Sequence, residues 1–369
     1  MRSKGHLLVD LSLLKHNLDQ LGKLAPSSQI LFMVKANAYG HGLLQIVDYC
    51  FHHLSIKAFG VATLGEALAL RRGSRNYEYQ IYVFSDLALE DDPKNYLDFK
   101  LIPVLTRMDD FIGILKHEKC RHLPLCLKIE TGMNRLGLAK EDIPIVIDEL
   151  RKRERSLYHL MTHFSDSDIV EGQKTKRQYQ RFLEIKSAFR EARINVKETS
   201  ASNSAAIENG VGLDETMIRP GLILYGIPST IGLEKKCTVK PISSLKAEVL
   251  DRRFISKGEE IGYGSTPAPQ EGKLCILGLG YGDGISNPYQ RLPLEFGDFH
   301  GEIVGKINMD MIQAIFPKQT PIKPGDLVSI WSHSTEQFGR IVNHTKFIPY
   351  EITCLLNDRL PRLYINSLP

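Results

Sequence analysis

Lys35 stands at the end of an apolar run, where an amine could act as a nucleophile. The segment LFMVKANAYGHG (31–42) places it directly after Val34, and a turn-rich stretch with Tyr39 and Gly40 follows. A lone lysine at the end of a strand is most often a surface residue. A lysine whose amine is desolvated can instead form a Schiff base with a carbonyl compound. The functional interpretation depends on whether other strand ends supply partners.

Four later segments carry side chains that suit the binding of anions. Arg135 in ETGMNRLG offers a guanidinium fork for a carboxylate, and THFSDSD supplies His163. Ser204 in SASNSAAIENG precedes backbone amides of a predicted helix start, which is a favourable place for phosphate. IRPGLILYG adds Arg219 and Gly221, where the backbone can approach a ligand closely. A lysine beside a phosphate site is the combination that pyridoxal phosphate requires.

The elements that must position these residues are eight short apolar runs that alternate with helical patterns from residue 11 to about residue 230. The runs are ILFMVK (30–35), AFGVAT (58–63), QIYVFS (80–85), LIPVLT (101–106), PLCLKIE (124–130), YHLMTHF (158–164), VKETSAS (196–202) and MIRPGLILYG (217–226). Buried strands alternating with helices indicate a parallel sheet covered on both faces. Eight units in roughly 220 residues fit a (β/α)₈ barrel, whose mouth would gather the reactive side chains. An open doubly wound sheet is the alternative, but no GxGxxG motif follows the first strand.

The pattern changes after about residue 235. Short alternating stretches such as KLCILGLGYGDG and GEIVGKINMDMIQAIF are separated by Gly, Pro and Asp turns, which is typical of an antiparallel β domain. The sequence therefore predicts a barrel over 11–235 and a β domain over 236–369. We expect the first strand, within residues 1–10, to join the second domain because it precedes the first helix of the barrel.

Composition excludes several classes of function. The net charge is only +4 and is spread along the chain, so we expect no nucleic-acid partner. No segment is long and apolar enough to span a bilayer, and the basic N-terminus lacks a signal-peptide core. The six cysteines form no CxxC pair and no Cys/His metal spacing, so we expect neither a metal site nor a disulfide framework. The prediction is a cytoplasmic protein.

The motifs together resemble those of the alanine racemases. MVKANAYGHG is similar to the family's pyridoxal-phosphate attachment motif. ETGMNRLG, THFSDSD, SNS, RPGLILYG, GYGST, GYGDG, NMD and PYE follow in the family's order, over residues 7 to 364. The resemblance implies a fold-type III enzyme that has an N-terminal barrel and a C-terminal β domain. It also implies a head-to-tail homodimer whose active sites take residues from both chains.

The resemblance assigns a role to each matching residue. Lys35 would hold the cofactor and act as one base, and Tyr263 of GYGST would be the opposing base, supplied by the partner subunit. Arg219 would contact the pyridine nitrogen, and His163 would link Arg219 to Tyr263. The remaining assignments are Tyr39, Ser204, Gly221, Leu222 and Tyr350 for the phosphate, Arg135 and the backbone of Met309 for the substrate carboxylate, and Tyr281 and Asp168 for the access channel.

The chemistry of racemisation fits this arrangement. A proton leaves Cα on one face and returns on the other, so two bases must face each other, each with a pKa near the working pH. Arg219 is effectively never deprotonated, so it cannot give the pyridine ring a proton as a carboxylic acid would. The cofactor would then be a weaker electron sink, which favours reprotonation over side reactions. A fold-type III decarboxylase would instead be favoured by a carboxylate at that position. A non-catalytic pyridoxal-phosphate carrier would not need the β domain, and a barrel enzyme without cofactor would carry no chromophore.

Five positions bear on substrate preference. Asn134 stands where the family usually has glycine, and Lys128 matches a lysine that is often carbamylated in the family. Asn308 replaces a common cysteine, while Lys306 and Asn287 replace common arginines. These changes lie near the expected carboxylate site and access channel. A racemase with broader specificity, for serine among others, is therefore the alternative to a strict alanine racemase.

Overall fold

The computed structural model describes residues 4–85, 93–169, 172–229 and 238–366. Its first half contains nine strands: β1 (Gly5–Asp10), β2 (Gln29–Met33), β3 (Ala58–Val61), β4 (Gln80–Val83), β5 (Leu101–Leu105), β6 (Cys126–Lys128), β7 (Leu157–Met161), β8 (Val196–Ser200) and β9 (Met217–Ile218). The helices of this half are α1 (Ser12–Leu24), α2 (Lys35–Tyr39), α3 (Leu43–Leu54), α4 (Leu64–Ser74), α5 (Lys94–Asp98), α6 (Met108–Lys116), α7 (Ile143–Lys152), α8 (Gln173–Glu191) and α9 (Ser204–Asn209).

Strands β2 to β9 form one parallel sheet in the order β8-β7-β6-β5-β4-β3-β2-β9. Its two edges meet, because Thr199 N of β8 donates to Thr216 Oγ1 (2.7 Å) and Arg219 N donates to Ser202 O (3.1 Å). The closed parallel sheet with helices between its strands confirms the predicted (β/α)₈ class.

Burial explains why these sequences form strands of a barrel. All five residues of β5 are buried, as expected when helices cover the outside and side chains fill the inside. The interior filling is Leu31, Ala58, Tyr82, Ile102, Val104, Cys126, Met161 and Met217. The predicted strand over 217–226 is shorter than expected, because only Met217–Ile218 is a strand and buried turns follow. Pro220, which has no N–H, accepts from Met33 N (2.9 Å) and so still ties this segment to β2.

The second half forms an eight-stranded sheet in the order β13-β16-β15-β14-β17-β10-β1-β18. The elements of the second half are β10 (Ser243–Ile255), β11 (Glu260–Ile261), β12 (Thr266–Pro267), β13 (Gly272–Leu277), β14 (Pro293–Phe296), β15 (Phe299–Val304), β16 (Ile312–Phe316), β17 (Leu327–Trp331), α10 (Thr335–Thr345), α11 (Pro349–Cys354) and β18 (Arg362–Ile365). Strand β1 pairs antiparallel with β10 and parallel with β18. The sheet is therefore antiparallel except at β18, and the period-2 pattern gave no sign of α10 and α11.

The boundary predicted at residues 235 and 236 lies outside the described residues, so it stays a prediction. Within the described ranges, the five cysteines are free thiols and no group of three His, Cys, Asp or Glu side chains could hold a metal ion. No helix in the described part of the chain has both the length and the apolarity needed to cross a membrane.

Candidate active site

The apolar strand β2 delivers Lys35 to the carboxyl end of the barrel. Leu31, Phe32 and Val34 are fully buried, which fixes the strand, whereas the Lys35 side chain lies at the mouth. Burial by the surrounding protein lowers the pKa of Lys35, and the positive charge of Arg135 lowers it further. The amine is therefore easier to deprotonate than an ordinary lysine, as a nucleophile or base requires.

The turn after Lys35 is left-handed, a feature that the sequence does not reveal. Four consecutive residues that are not glycine, Ala36 to Tyr39, have φ between 52° and 54°. Such a conformation costs about 1–2 kcal/mol per residue, so neighbouring structure must hold it. Glu66 accepts from Ala36 N (2.6 Å), and the Asn37 side chain accepts from Leu43 N (2.8 Å). These contacts fix the position of Lys35 relative to Tyr39.

The mouth concentrates positive charge. Lys35, Lys128, Arg135 and Arg219 are close enough to influence one another or His163. Burial, followed by Arg135 and Arg219, lowers the pKa of Lys128 to about 8. Burial and these cations hold the pKa of His163 well below its usual value, so His163 is neutral.

Glu130, a carboxylate that acts on Lys128, is already engaged by backbone amides. Glu130 accepts from the backbone N–H groups of Met133 (2.6 Å), Arg135 (3.2 Å) and Gly132, and so shapes the loop that carries Arg135. Asn134 in this loop has φ 56°, which explains why glycine is usual there and why asparagine, a residue that tolerates this region, can replace it. Glu130 is thus engaged with the backbone of the loop. The excess of positive charge at the mouth favours the binding of an anionic ligand.

Arg219 is buried at the back of the site and is held by neutral acceptors. Its Nη1 donates to Ser200 Oγ (2.5 Å), and its Nη2 donates to Thr162 O (2.5 Å) and Ala201 O (3.1 Å). Burial lowers the pKa of Arg219 to about 10. No carboxylate among the described residues pairs with this guanidinium, and its Nε donates to no described acceptor, which leaves that donor for a ligand.

Ser204 and the backbone amides around Gly221 form a polar cradle at the mouth. Ser204 Oγ accepts from Gly221 N (3.0 Å) and Ile223 N (3.3 Å), which joins the start of α9 to the turn after β9. A Cβ on Gly221 would come within 2.5 Å of Tyr39 Oη, so only glycine permits this approach. The Tyr39 ring packs against Tyr350 at 5.9 Å between centroids. The amides of Ser204 and Leu222 donate to no described acceptor. The structure therefore gathers Tyr39, Ser204, Gly221, Leu222 and Tyr350.

Apart from Tyr350, the side chains predicted from the β domain have no described contact with this group within the single chain. Tyr263 caps the hairpin of β11 and β12 and is 74% exposed, and Met309 and Tyr281 are also exposed. Tyr281 N donates to Asn308 O (3.0 Å), which places Tyr281 beside the Met309 loop. No hydrogen bond, ring contact or charge interaction among the described residues joins Tyr263 to Lys35. Asp168 is exposed on the loop that follows β7.

Two supporting residues carry no motif and would be missed from sequence. Gln178 of α8 donates to His163 O (3.2 Å) and accepts from Ser165 N (3.0 Å), so it fixes the His163 loop. Arg359 donates to Met309 O (3.1 Å) and pairs with Asp283 (2.9 Å), which holds the Met309 loop. Their only sequence signal is a polar residue on an otherwise ordinary helix or loop.

These residues fit pyridoxal phosphate. A lysine with a lowered pKa, a buried arginine without a carboxylate partner and backbone amides without described acceptors match its aldehyde, ring nitrogen and phosphate, respectively. The excess of positive charge matches an anionic group.

Comparison with known proteins gives one consistent result. The family model "Alanine racemase, N-terminal domain" matches residues 9–229, and "Alanine racemase, C-terminal domain" matches residues 242–364. An alanine racemase of Coxiella burnetii is 31% identical over 97% of this chain and 98% of its own. The biosynthetic alanine racemase of Escherichia coli is 30% identical over 98% of this chain and 99% of its own. The structure of alanine racemase from Acinetobacter baumannii is 30% identical, with a TM-score of 0.86 over 99% of this chain and 100% of its own.

Proposed function

Because this chain belongs to the alanine racemase family, a family of isomerases, we propose that it interconverts L- and D-alanine with pyridoxal phosphate as cofactor. The observation that carries the proposal is the mouth of the barrel. There Lys35, with a lowered pKa, lies close to further cations, beside a cradle of backbone amides and a hydroxyl group. The cofactor supplies a carbonyl group for the amine and an electron sink for the Cα carbanion.

The geometry described supports an assignment of the residues that would bind the cofactor. Lys35 would hold its carbonyl carbon, and Arg219 would donate from Nε to the ring nitrogen. Tyr39, Ser204, Tyr350 and the amides at Gly221 and Leu222 would surround the phosphate. Arg219 has only neutral acceptors behind it, so its positive charge discourages protonation of the ring nitrogen. This feature also argues against a decarboxylase, for which a carboxylate at this position would be expected.

Two bases on opposite faces of the substrate carry out the proton transfer. Lys35 Nζ would take or return the Cα proton of the D-isomer, and Tyr263 Oη of the partner subunit would do so for the L-isomer. The lowered pKa of Lys35 suits it to this exchange near neutral pH. Neutral His163, adjacent to Arg219, would donate its N–H to the tyrosine oxygen, which stabilises the phenolate and so favours deprotonation of Tyr263.

The substrate carboxylate would lie against Arg135 and the Met309 amide. Arg135 suits a bidentate contact, and its loop is held by Glu130. Tyr281 and Asp168 would line the access channel. Tyr263 and Met309 are exposed, and no described contact joins either of them to Lys35, so both catalysis and substrate binding would require a second chain.

The exposure of the β-domain residues supports a homodimer. Tyr263 is 74% exposed and Met309 is 53% exposed, and Tyr281, which lies beside the Met309 loop, is 51% exposed. Large apolar side chains grouped on a surface mark a contact site, and a two-fold arrangement would place each group over the partner's barrel mouth. The proposal therefore includes two shared active sites per dimer.

The cellular role follows from the reaction class. The free thiols are consistent with the proposed cytoplasmic location. D-alanine is a building block of peptidoglycan, and we propose that the enzyme supplies it, in line with the name of the Escherichia coli relative, a biosynthetic alanine racemase.

The function is tested by incubating the purified holoenzyme with L-alanine and measuring D-alanine by optical rotation and chiral chromatography. We expect equal amounts of the two isomers at equilibrium. Absence of D-alanine would refute the assignment. Parallel reactions with serine, arginine and lysine measure specificity, because Lys306 and Asn308 lie in the loop that leads to Met309.

A pH-dependent modification of Lys128 is a further expected result. Carbamylation joins the neutral lysine nitrogen to the carbon of carbon dioxide and releases a proton. With a pKa of about 8, the Lys128 amine is mostly neutral at pH 9. A lysine with the ordinary pKa of 10.5 is mostly protonated at that pH. We expect a carbamate signal in ¹³C NMR with labelled bicarbonate, and it should weaken as the pH falls below about 8. The signal should vanish in Lys128→Met and persist in Lys23→Met, so a signal that survives in Lys128→Met contradicts the assignment.

A further inference from the structure

Two fully buried residues lie directly behind Arg219, and no motif points to either. Ser200 is the last residue of β8, and His159 lies on the neighbouring strand β7. Ser200 Oγ is 2.5 Å from Arg219 Nη1 and 2.8 Å from His159 Nε2. The three side chains therefore form a hydrogen-bonded chain inside the barrel.

The direction of each hydrogen bond follows from the chemistry of the groups. A guanidinium can only donate, so Ser200 Oγ accepts from Arg219. A serine oxygen has two lone pairs, so the geometry alone also allows His159 Nε2 to donate, but only an unprotonated Nε2 gives the serine hydrogen an acceptor. We therefore assign Ser200 as the donor to a neutral His159 whose proton is on Nδ1, an atom without a described partner. Burial, and secondarily the charge of Arg219, lowers the pKa of His159 to about 3, in agreement with this assignment.

Hydrogen-bonded to each other, Ser200 and His159 give Arg219 an oriented acceptor that carries no negative charge. A carboxylate in the place of Ser200 would hold the guanidinium equally well, but it would offset the positive charge that acts on the cofactor ring. A serine alone could rotate its hydroxyl hydrogen towards Arg219. The neutral imidazole prevents this by accepting that hydrogen, so a lone pair of Ser200 faces Nη1.

A second buried serine–histidine hydrogen bond occurs elsewhere in the protein, where it does not hold an arginine. His41 Nε2 lies 3.0 Å from Ser243 Oγ, and both residues are buried. No described hydrogen bond connects that pair to an arginine. The pair behind Arg219 is distinguished by the hydrogen bond that its serine accepts from a buried guanidinium.

We propose that Ser200 and His159 are positioning residues for Arg219, which hold its guanidinium so that Nε meets the ring nitrogen of the bound cofactor. This inference rests on the proposed function, because it presumes that pyridoxal phosphate binds at Lys35 and Arg219. Neither residue touches substrate or cofactor. Both act only through the orientation of Arg219.

The test compares Ser200→Ala, His159→Leu and His159→Gln with the native protein. Leucine removes the acceptor at similar size, whereas the glutamine amide can still accept from Ser200. Ser28→Ala is the matched control, because it removes a serine hydroxyl bonded to Leu213 O (2.8 Å) and Glu215 O (3.1 Å) at the opposite end of the barrel. The primary readout is the dissociation constant of pyridoxal phosphate for the apoprotein.

We expect Ser200→Ala to weaken cofactor binding about 10- to 100-fold, the effect of losing one hydrogen bond to a charged group, and His159→Leu to weaken it in the same direction. They should also lower kcat for L-alanine and leave KM nearly unchanged, since Arg219 does not contact the substrate carboxylate. His159→Gln should restore most of the affinity. Ser28→Ala should lower the melting temperature without changing the affinity.

Each outcome separates this inference from the proposed function. If borohydride reduction of the native holoenzyme fails to fix pyridoxal phosphate to Lys35, the proposed function itself is wrong. If the native protein is labelled and both Ser200→Ala and His159→Leu bind the cofactor as tightly as native, the positioning role is refuted. It is equally refuted if His159→Gln is as impaired as His159→Leu.

Discussion

Replacement of Lys35 by alanine is expected to lower kcat for alanine racemisation by roughly 10³-fold or more. The substitution removes both the amine that holds the cofactor and the base that serves the D-isomer. We expect no substitution by Lys128, the described lysine that interacts with Lys35, because it is only 8% exposed. The measurement is the initial rate of D-alanine formation with saturating pyridoxal phosphate, together with the visible absorbance of the cofactor.

The Lys35→Ala variant should remain folded. Arg135 and burial already disfavour the charged amine of Lys35, so its removal relieves repulsion at the mouth. We expect a melting temperature of the apoprotein no lower than native. Lys23→Ala, at an exposed position of α1, is the control and should keep full activity. Near-native racemisation by a folded Lys35→Ala variant would contradict the role of Lys35.

Replacement of Tyr263 by phenylalanine should lower the racemisation rate about 10²- to 10⁴-fold, the range for loss of a general base. The informative result is the exchange of the Cα hydrogen with deuterium oxide. Lys35 remains, so D-alanine should still exchange its Cα hydrogen, although it no longer racemises. L-alanine should lose both exchange and racemisation.

The Tyr263→Phe experiment has a matched control in Tyr77→Phe, which removes a partly exposed tyrosine hydroxyl from a residue that contacts Arg71. That variant should exchange and racemise both isomers at the native rates. If Tyr263→Phe exchanges L-alanine as fast as native, Tyr263 is not the base for the L-isomer.

The fold was predictable because its signal is local. Runs such as LIPVL, buried along their whole length, are typical of a barrel strand, and Lys35 follows one of them. The cradle residues Ser204 and Gly221 were also within reach, because barrel geometry brings the ends of the seventh and eighth strands together.

Other features of the site depend on long-range packing that no local pattern encodes. The left-handed turn from Ala36 to Tyr39 is imposed by Glu66 and Asn37, and alanine itself disfavours it. The link from Arg219 through Ser200 to His159 joins residues up to 60 positions apart that are ordinary strand residues by type. The exposure of Tyr263 likewise appears only once the chain is folded.

The central claim is that Lys35 and Tyr263 act together from different chains, and mixed dimers test it most directly. Lys35→Ala and Tyr263→Phe chains with different affinity tags can be co-expressed, and the mixed dimer can be purified through both tags. One of its two sites would then carry both substitutions and the other neither, so we predict about half the native activity per dimer, although each parent is inactive. A mixed dimer as inactive as its parents would show that Lys35 and Tyr263 do not meet across a subunit interface, and would contradict the account.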